Sequence, residues 1–189
     1  DKLTSALTAR KKYKPEALNP NLDPPLRNAL SYGSVYWRGY DRFNRPIMWV
    51  RSHRKNWREL DTQAEIRMCT LLTEAGIRLM PPGVTRFVVV VDAMGVGIRQ
   101  MKVSLFRAQF KMLQTVYIDR LAKVYIGPVG MVVNGIWKLL RPFMPKRLPG
   151  KVRMSNRSSI PLLVTCHFSV SSHVDFDVQL SAPADEDTR

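Results

Sequence analysis

The chain has 189 residues, 45% of them hydrophobic, enough to bury one core and to form one domain. Lys and Arg number 30 against 15 Asp and Glu, a formal +15 that calls for an anionic partner, nucleic acid or an acidic membrane surface, without choosing between them. Two cysteines exclude a disulfide framework and point to a reducing, cytosolic setting. No run reaches the roughly 20 apolar residues of a membrane span, and the chain opens with neither a signal-type segment nor an initiator Met, so a soluble protein, as a fragment or processed form, is expected.

In chain order, residues 1–30 are basic and polar. ARKKYKPE (residues 9–16) leads into the Pro-rich LNPNLDPPL, which reads as a linker. RPIMWV (45–50) reads as a strand, since Pro46 is tolerated at a strand start and apolar residues follow. DTQAEIRMCTLLTEAGIRLM (61–80) reads as a helix: Thr62 and Glu65 have capping-box spacing, and Ile66, Cys69, Leu72, Ala75 and Leu79 form an apolar stripe. Pro81, Pro82 and Gly83 stop it.

RFVVVVD (86–92) has no polar alternation and reads as a strand covered on both faces. A helix is expected over 100–122, with Leu105, Phe106, Phe110, Leu113 and Tyr117 at three- and four-residue spacing, and KVYIG (123–127) as a second buried strand. Strand, helix, strand at this spacing is a βαβ crossover, so the two strands are expected to be parallel. After Gly127-Pro128 comes an apolar helix, expected over 128–140, without a clean polar face and with no charge between Pro128 and Trp137. GKVRM (150–154) reads as a further strand. From Asn156 the chain turns Ser-rich and closes in the acidic ADEDTR.

Three kinds of chemistry can be weighed. Gly95-x-Gly97 follows a hydrophobic strand as in dinucleotide-binding folds, but Gln100 stands where the third glycine belongs, so a plain strand-to-helix turn is the better reading. His53, His167 and His173 lack HExxH or CxxC context; CHFSVSSH reads as a surface tail with incidental Cys166 and His, and no metal is expected. Cys69 falls on the apolar stripe of a helix, the place of a small core residue and not of a nucleophile. Arg38, Arg42, Arg45, Arg51, Arg54, Lys55 and Arg58, interleaved with Tyr40, Phe43, Trp49 and Trp57, imitate a basic patch with stacking aromatics. No helix-turn-helix, zinc-finger or RRM signature accompanies them, and a solvated basic face with buried strand aromatics is the favoured reading. Nucleic-acid binding is kept as the alternative function, and a nucleotide-dependent enzyme as a weaker third.

YWRGYDRFNRPIMWV, FVVVVDAMG and QTVYIDRLAKVYIGPVGMVVNGIWKLLRPFMPKRLPGKV together resemble the CRAL-TRIO lipid-binding domain of the phosphatidylinositol-transfer type, from about Tyr36 to Met154. The last block is the most specific. Ile118-Asp119-Arg120-Leu121-Ala122 stands for the family's Tyr-Pro-Glu-Arg-Leu-Gly turn, and Arg141-Pro142-Phe143 for the Lys-Pro-Phe that ends its gate helix. ARKKYKPE is similar to the family's Trp-Arg-Lys-x-Tyr-x-Pro-Glu segment, with Ala9 in place of Trp.

The resemblance implies an α/β fold in which a mixed β-sheet floors an apolar lipid pocket enclosed by helices and closed by a gate helix. It implies a non-enzymatic protein without cofactor, which binds a phospholipid, phosphatidylinositol or a phosphoinositide, and transfers it between cytosolic membrane surfaces. The partners implied are the lipid and an anionic membrane, met peripherally; the location is the cytoplasm with reversible membrane association. Head-group residues carry over to Arg10, Lys11, Asp119 and Lys151; gate and pocket lining to Val129, Met131, Val132, Val133, Ile136, Trp137 and Leu140. The organisation expected is a remnant of an N-terminal helical region with a linker over 1–32, the lipid-binding domain over 33–160, and an atypical tail over 161–189.

A gate helix gives the apolar segment a physical reason. Extracting a two-tailed phospholipid exposes on the order of 30 methylenes, a gross cost of about 25 kcal/mol at roughly 0.8 kcal/mol each. A helix with one face toward the lumen and one toward the bilayer lowers that cost at both stations. Departures from the family pattern are also visible. The hydroxyl residues that hold choline in some members fall on Phe87 and Val89, which speaks against phosphatidylcholine; a threonine near the inositol site falls on Leu148; and the Leu-Pro-x-x-x-Gly-Gly segment after the last strand is replaced by the chain from Asn156.

Overall fold

The computed structural model describes residues 2–97, 102–144 and 148–155. Its centre is a five-stranded sheet in the order β1-β2-β3-β4-β5, with β1 (Val35–Tyr40), β2 (Pro46–Arg51), β3 (Phe87–Asp92), β4 (Leu121–Gly127) and β5 (Val152–Met154). β1 and β2 form an antiparallel hairpin, and β2 through β5 run parallel, so the sheet is mixed as expected. Parallel neighbours need long crossovers. α3 (Thr62–Arg78) joins β2 to β3, α4 (Val103–Thr115) joins β3 to β4, and α5 (Met131–Leu140) joins β4 to β5. α1 (Lys2–Tyr13) and α2 (Pro24–Ser31) precede the sheet.

The valine run makes the central strand because it is hidden on both faces: Phe87 and Val88 are buried, as is Val90. Alternation divides its side chains. Val88 and Val90 cluster with Ile47, Trp49 and Tyr125, while Phe87 and Val89 join the opposite face, which packs on the helices. On that helical side α2 and α3 deliver Leu26, Ala29, Ala64 and Met68 against Val35 and Met48. The approach is tightest where the Trp37 ring lies on Gly76: a Cβ there would stand 1.9 Å from Trp37 Cζ2. Trp37 Nε1 also donates to the Leu72 carbonyl at 2.7 Å, tying β1 to α3.

Several local expectations change. The 61–80 helix is capped by Asp61, whose carboxylate accepts from the N–H groups of Gln63 and Ala64, and not by a Thr62–Glu65 box. Glu65 is instead buried in an ion pair with Lys55. Of the expected stripe only Ile66 is fully buried, and the buried face includes Thr70 and Thr73. Their hydroxyls donate back to the carbonyls of Ile66 and Cys69 at 2.8 and 2.6 Å, which hides their polarity inside the helix. The 100–122 helix ends at Thr115. Asp119 takes φ 56°, which no helix continues, and Leu121 and Ala122 already belong to β4. The linker is partly helical: Pro24 opens α2 behind an Asp23 N-cap.

Candidate functional site

The apolar segment after β4 leaves the sheet through a cis Gly127–Pro128 bond and becomes helical only at Met131, three residues later than the sequence suggests. Val129 precedes the helix, is buried, and is fixed by its N–H donating to the Ser155 carbonyl at 2.9 Å. Along α5 the two sides differ in what they meet. Met131 is 92% exposed, Val132 37% and Leu139 50%. Val133, Ile136 and Trp137 are half-buried, and Leu140 is buried. A soluble-side helix face would carry charge, yet the only charge in α5 is Lys138.

Trp137 packs on an apolar cluster whose buried members are Phe87, Leu121, Leu148 and Val152, with Phe110 and Leu113 of α4 and Met80, Met144 and Met154 around them. The floor of this cluster is the helix-facing side of β3, β4 and β5. Trp37 meets Phe87 edge to face, with ring centroids 5.5 Å apart at 86°. Three methionines give the region side chains that re-pack at low cost. Sequence reading found the α5 half of this region and missed Met80 and Met144, which lie far apart in the chain and gain a common role only through the fold.

Of the four polar candidates, Lys151 reaches the start of β4 and Asp119 lies two residues before it in the chain, while Arg10 is held by carboxylates of its own. Arg10 of α1 forms a fork with Glu74 of α3, 2.8 and 3.2 Å to its two oxygens, and its Nε reaches Glu16 at 2.6 Å. Those carboxylates raise the guanidinium pKa still further, so Arg10 is permanently charged and largely neutralised in place. Glu74 also accepts from the Tyr117 hydroxyl at 2.9 Å, and burial, then Glu74, pushes that phenol well above its usual range. Two residues on, Asp119 is exposed. Lys151 donates to the Leu121 carbonyl at 2.6 Å. No ion pair joins Asp119 to Lys151 among the described residues. Lys11 is exposed and unpaired among them.

Other motifs resolve into structure. Gly95, at φ 70°, follows an Asp92 side-chain turn onto the Met94 N–H at 3.0 Å, the plain strand-to-helix turn preferred above. His53 lies 3.6 Å from Asp92, and no metal-binding group of three occurs among the described residues; Cys166, His167 and His173 lie outside them. Desolvation pushes the Cys69 thiol up to about 11, so it stays protonated and unreactive at neutral pH. Tyr40, Trp49 and Trp57 are hydrogen-bonded to the carbonyls of Leu79, Arg38 and Ser52, which leaves Phe43 as the exposed aromatic of the basic stretch.

Comparison with known proteins agrees with this geometry. A CRAL-TRIO domain-containing protein of Schizosaccharomyces pombe is 29% identical over 126 residues, 66% of this chain and 12% of that protein, so the chain spans only a small part of its relative's length. The crystal structure of Sfh5 superposes with a TM-score of 0.64 at 16% identity, covering 82% of this chain and 59% of that one, a likeness of fold. The family profile described as CRAL/TRIO domain matches residues 30–174. A mixed sheet with helices on its apolar face, matched over most of the chain, settles the family: this chain belongs to the CRAL/TRIO domain family, whose domains bind lipophilic ligands.

Proposed function

We propose that this domain binds a two-chain phospholipid of the phosphatidylinositol class and passes it between cytosol-facing membranes without chemical catalysis. Its acyl chains would occupy the apolar region bounded by β3, β4, β5, α4 and α5, and its head group the start of β4. The observation that carries this reading is α5, whose Met131, Val132 and Leu139 face water while Trp137 packs on the cluster and Leu140 is buried. A helix of this kind leaves an apolar face to water, and that face gains when it meets a bilayer.

At the polar end, Arg10 is engaged by two carboxylates, so phosphate contact falls chiefly to Lys11 and Lys151. Lys151 uses one of its three donors on the Leu121 carbonyl and keeps two for oxygen atoms of a head group. Asp119 is an acceptor suited to inositol hydroxyls. Phe87, sunk against Trp37, leaves no hydroxyl at the strand position where choline would need one.

Transfer of labelled phosphatidylinositol and phosphatidylcholine between vesicles tests the reading. Faster movement of the inositol lipid is expected; equal rates, or no acceleration of either lipid, would refute it.

A further inference from the structure

The β1–β2 hairpin carries a feature that the lipid site does not use. Phe43, at its tip, is 57% exposed, and the turn is built to hold it there. Beneath it Asp41 is 2% exposed. Its carboxylate accepts from the N–H groups of Phe43 and Arg45 at 2.9 Å each and from Arg45 Nε at 2.6 Å, and the second Arg45 nitrogen completes the ion pair. Asn44 adopts φ 54° and donates to the Asp41 carbonyl at 2.8 Å. A buried carboxylate so fully bonded makes a stiff turn, and what the stiffness presents is a hydrocarbon ring.

The ring stands between cations. The guanidinium carbons of Arg42 and Arg45 lie 4.9 and 4.8 Å from its centroid. Arg45 is neutralised by Asp41, while Arg42 is exposed and has no carboxylate partner among the described residues. Asp41 is the only acidic residue between Val35 and Arg51, against four arginines. The hairpin therefore offers an apolar ring with free positive charge beside it, complementary to a surface that is apolar beneath and anionic on top.

The tip also points the right way. β2 to β5 are parallel, so the tip lies at the end of the sheet where β3, β4 and β5 begin. α5 starts after the opposite end of β4 and returns toward the start of β5, bringing exposed Leu139, Lys138 and Arg141 toward the same end.

We propose that the hairpin tip is a second membrane contact: Phe43 enters the boundary between head groups and acyl chains of an anionic bilayer, and Arg42 takes a lipid phosphate. This rests on the membrane reading above. The partner is the bilayer; single-stranded nucleic acid also offers phosphates and stacking faces, and binding of a labelled oligonucleotide, measured alongside, tells the two apart.

Co-sedimentation of the full chain with phosphatidylcholine vesicles, with and without phosphatidylserine, tests it. Phe43→Ser should weaken binding to the anionic vesicles about tenfold, from loss of roughly half a buried phenylalanine, with an unchanged melting temperature. Arg42→Ser, which leaves the Asp41 bonds intact, should cost about fivefold at low salt and little at high salt, and Phe43→Trp should bind as the parent does. Binding of Phe43→Ser within twofold of the parent overturns the anchor, as does a loss confined to oligonucleotide binding. A chain that carries phosphatidylinositol yet binds vesicles independently of Phe43 refutes the anchor alone; one that binds through Phe43 and carries no lipid refutes the transfer reading alone.

Discussion

Two aspartate substitutions in α5 separate a gate helix from a core helix. Val132 is 37% exposed and sits in the first turn, beside Met131 at 92%. Val132→Asp therefore gives up about 1 kcal/mol of part-buried valine surface and places a carboxylate where the unsatisfied N–H groups of the helix start favour one, by about 0.3–1 kcal/mol. Its net effect on stability should stay within about 0.5 kcal/mol. Leu140, eight residues on, is 5% exposed. Leu140→Asp loses about 2–5 kcal/mol of packing and adds several more for an unpaired buried carboxylate. Against a total stability of about 5–15 kcal/mol, that should leave much of the protein unfolded. Circular-dichroism melting and vesicle-to-vesicle transfer decide the matter. Val132→Asp should melt with the parent yet transfer lipid at least tenfold more slowly, because it carries a negative charge to an anionic bilayer. Melting as low as Leu140→Asp would show that this side of α5 is core, and transfer at the parental rate would show that it meets no membrane.

At the start of β4, Lys151→Ala and Asp119→Asn should each lower phosphatidylinositol loading severalfold with little change in fold; asparagine is chosen because Asp119 holds φ 56°, which asparagine tolerates and alanine does not. Loading equal to the parent in both would remove these residues from the head-group site. Acid stability has a local source in Asp23, whose pKa is lowered first by the Leu26 N–H it accepts and then by Arg67. A lowered carboxylate stabilises the fold above its unfolded value near 3.8 and loses that contribution as pH falls through the folded value, so the urea midpoints of parent and Asp23→Ala should differ at pH 7 and converge on acidification. A constant gap across that range would contradict the assignment.

Much of the sheet was legible because burial on both faces leaves an unmistakable valine run, and because crossover spacing dictates parallel pairing. β1 was not. Its Arg38 and Gly39 interrupt any alternation, and the bulge between Trp37 and Tyr40 shifts its register. α2 hid behind prolines that look like a linker, although Pro24 after Asp23 is a helix start. Thr70 and Thr73 were passed over as core because their hydroxyls are satisfied within the helix, which composition cannot show. The site was legible in a different way. The apolar character of α5 was plain, but which residues face water depends on packing against Phe87, far away in sequence. Likewise, Arg10, Asp119 and Lys151 came from resemblance alone. That Arg10 is held by Glu74, and Glu74 by Tyr117, follows from the packing of α1 on α4 and of the Pro15–Ala17 turn on α3, and leaves no periodic trace.

Carriage of an inositol phospholipid is what the proposed function requires. Native mass spectrometry of the purified full chain, after incubation with mixed-lipid vesicles and separation from them, measures this directly. A one-to-one complex enriched in phosphatidylinositol over phosphatidylcholine is predicted, and its population should fall in Lys151→Ala. A chain that emerges without lipid, or loaded in proportion to vesicle composition, would refute inositol-lipid binding.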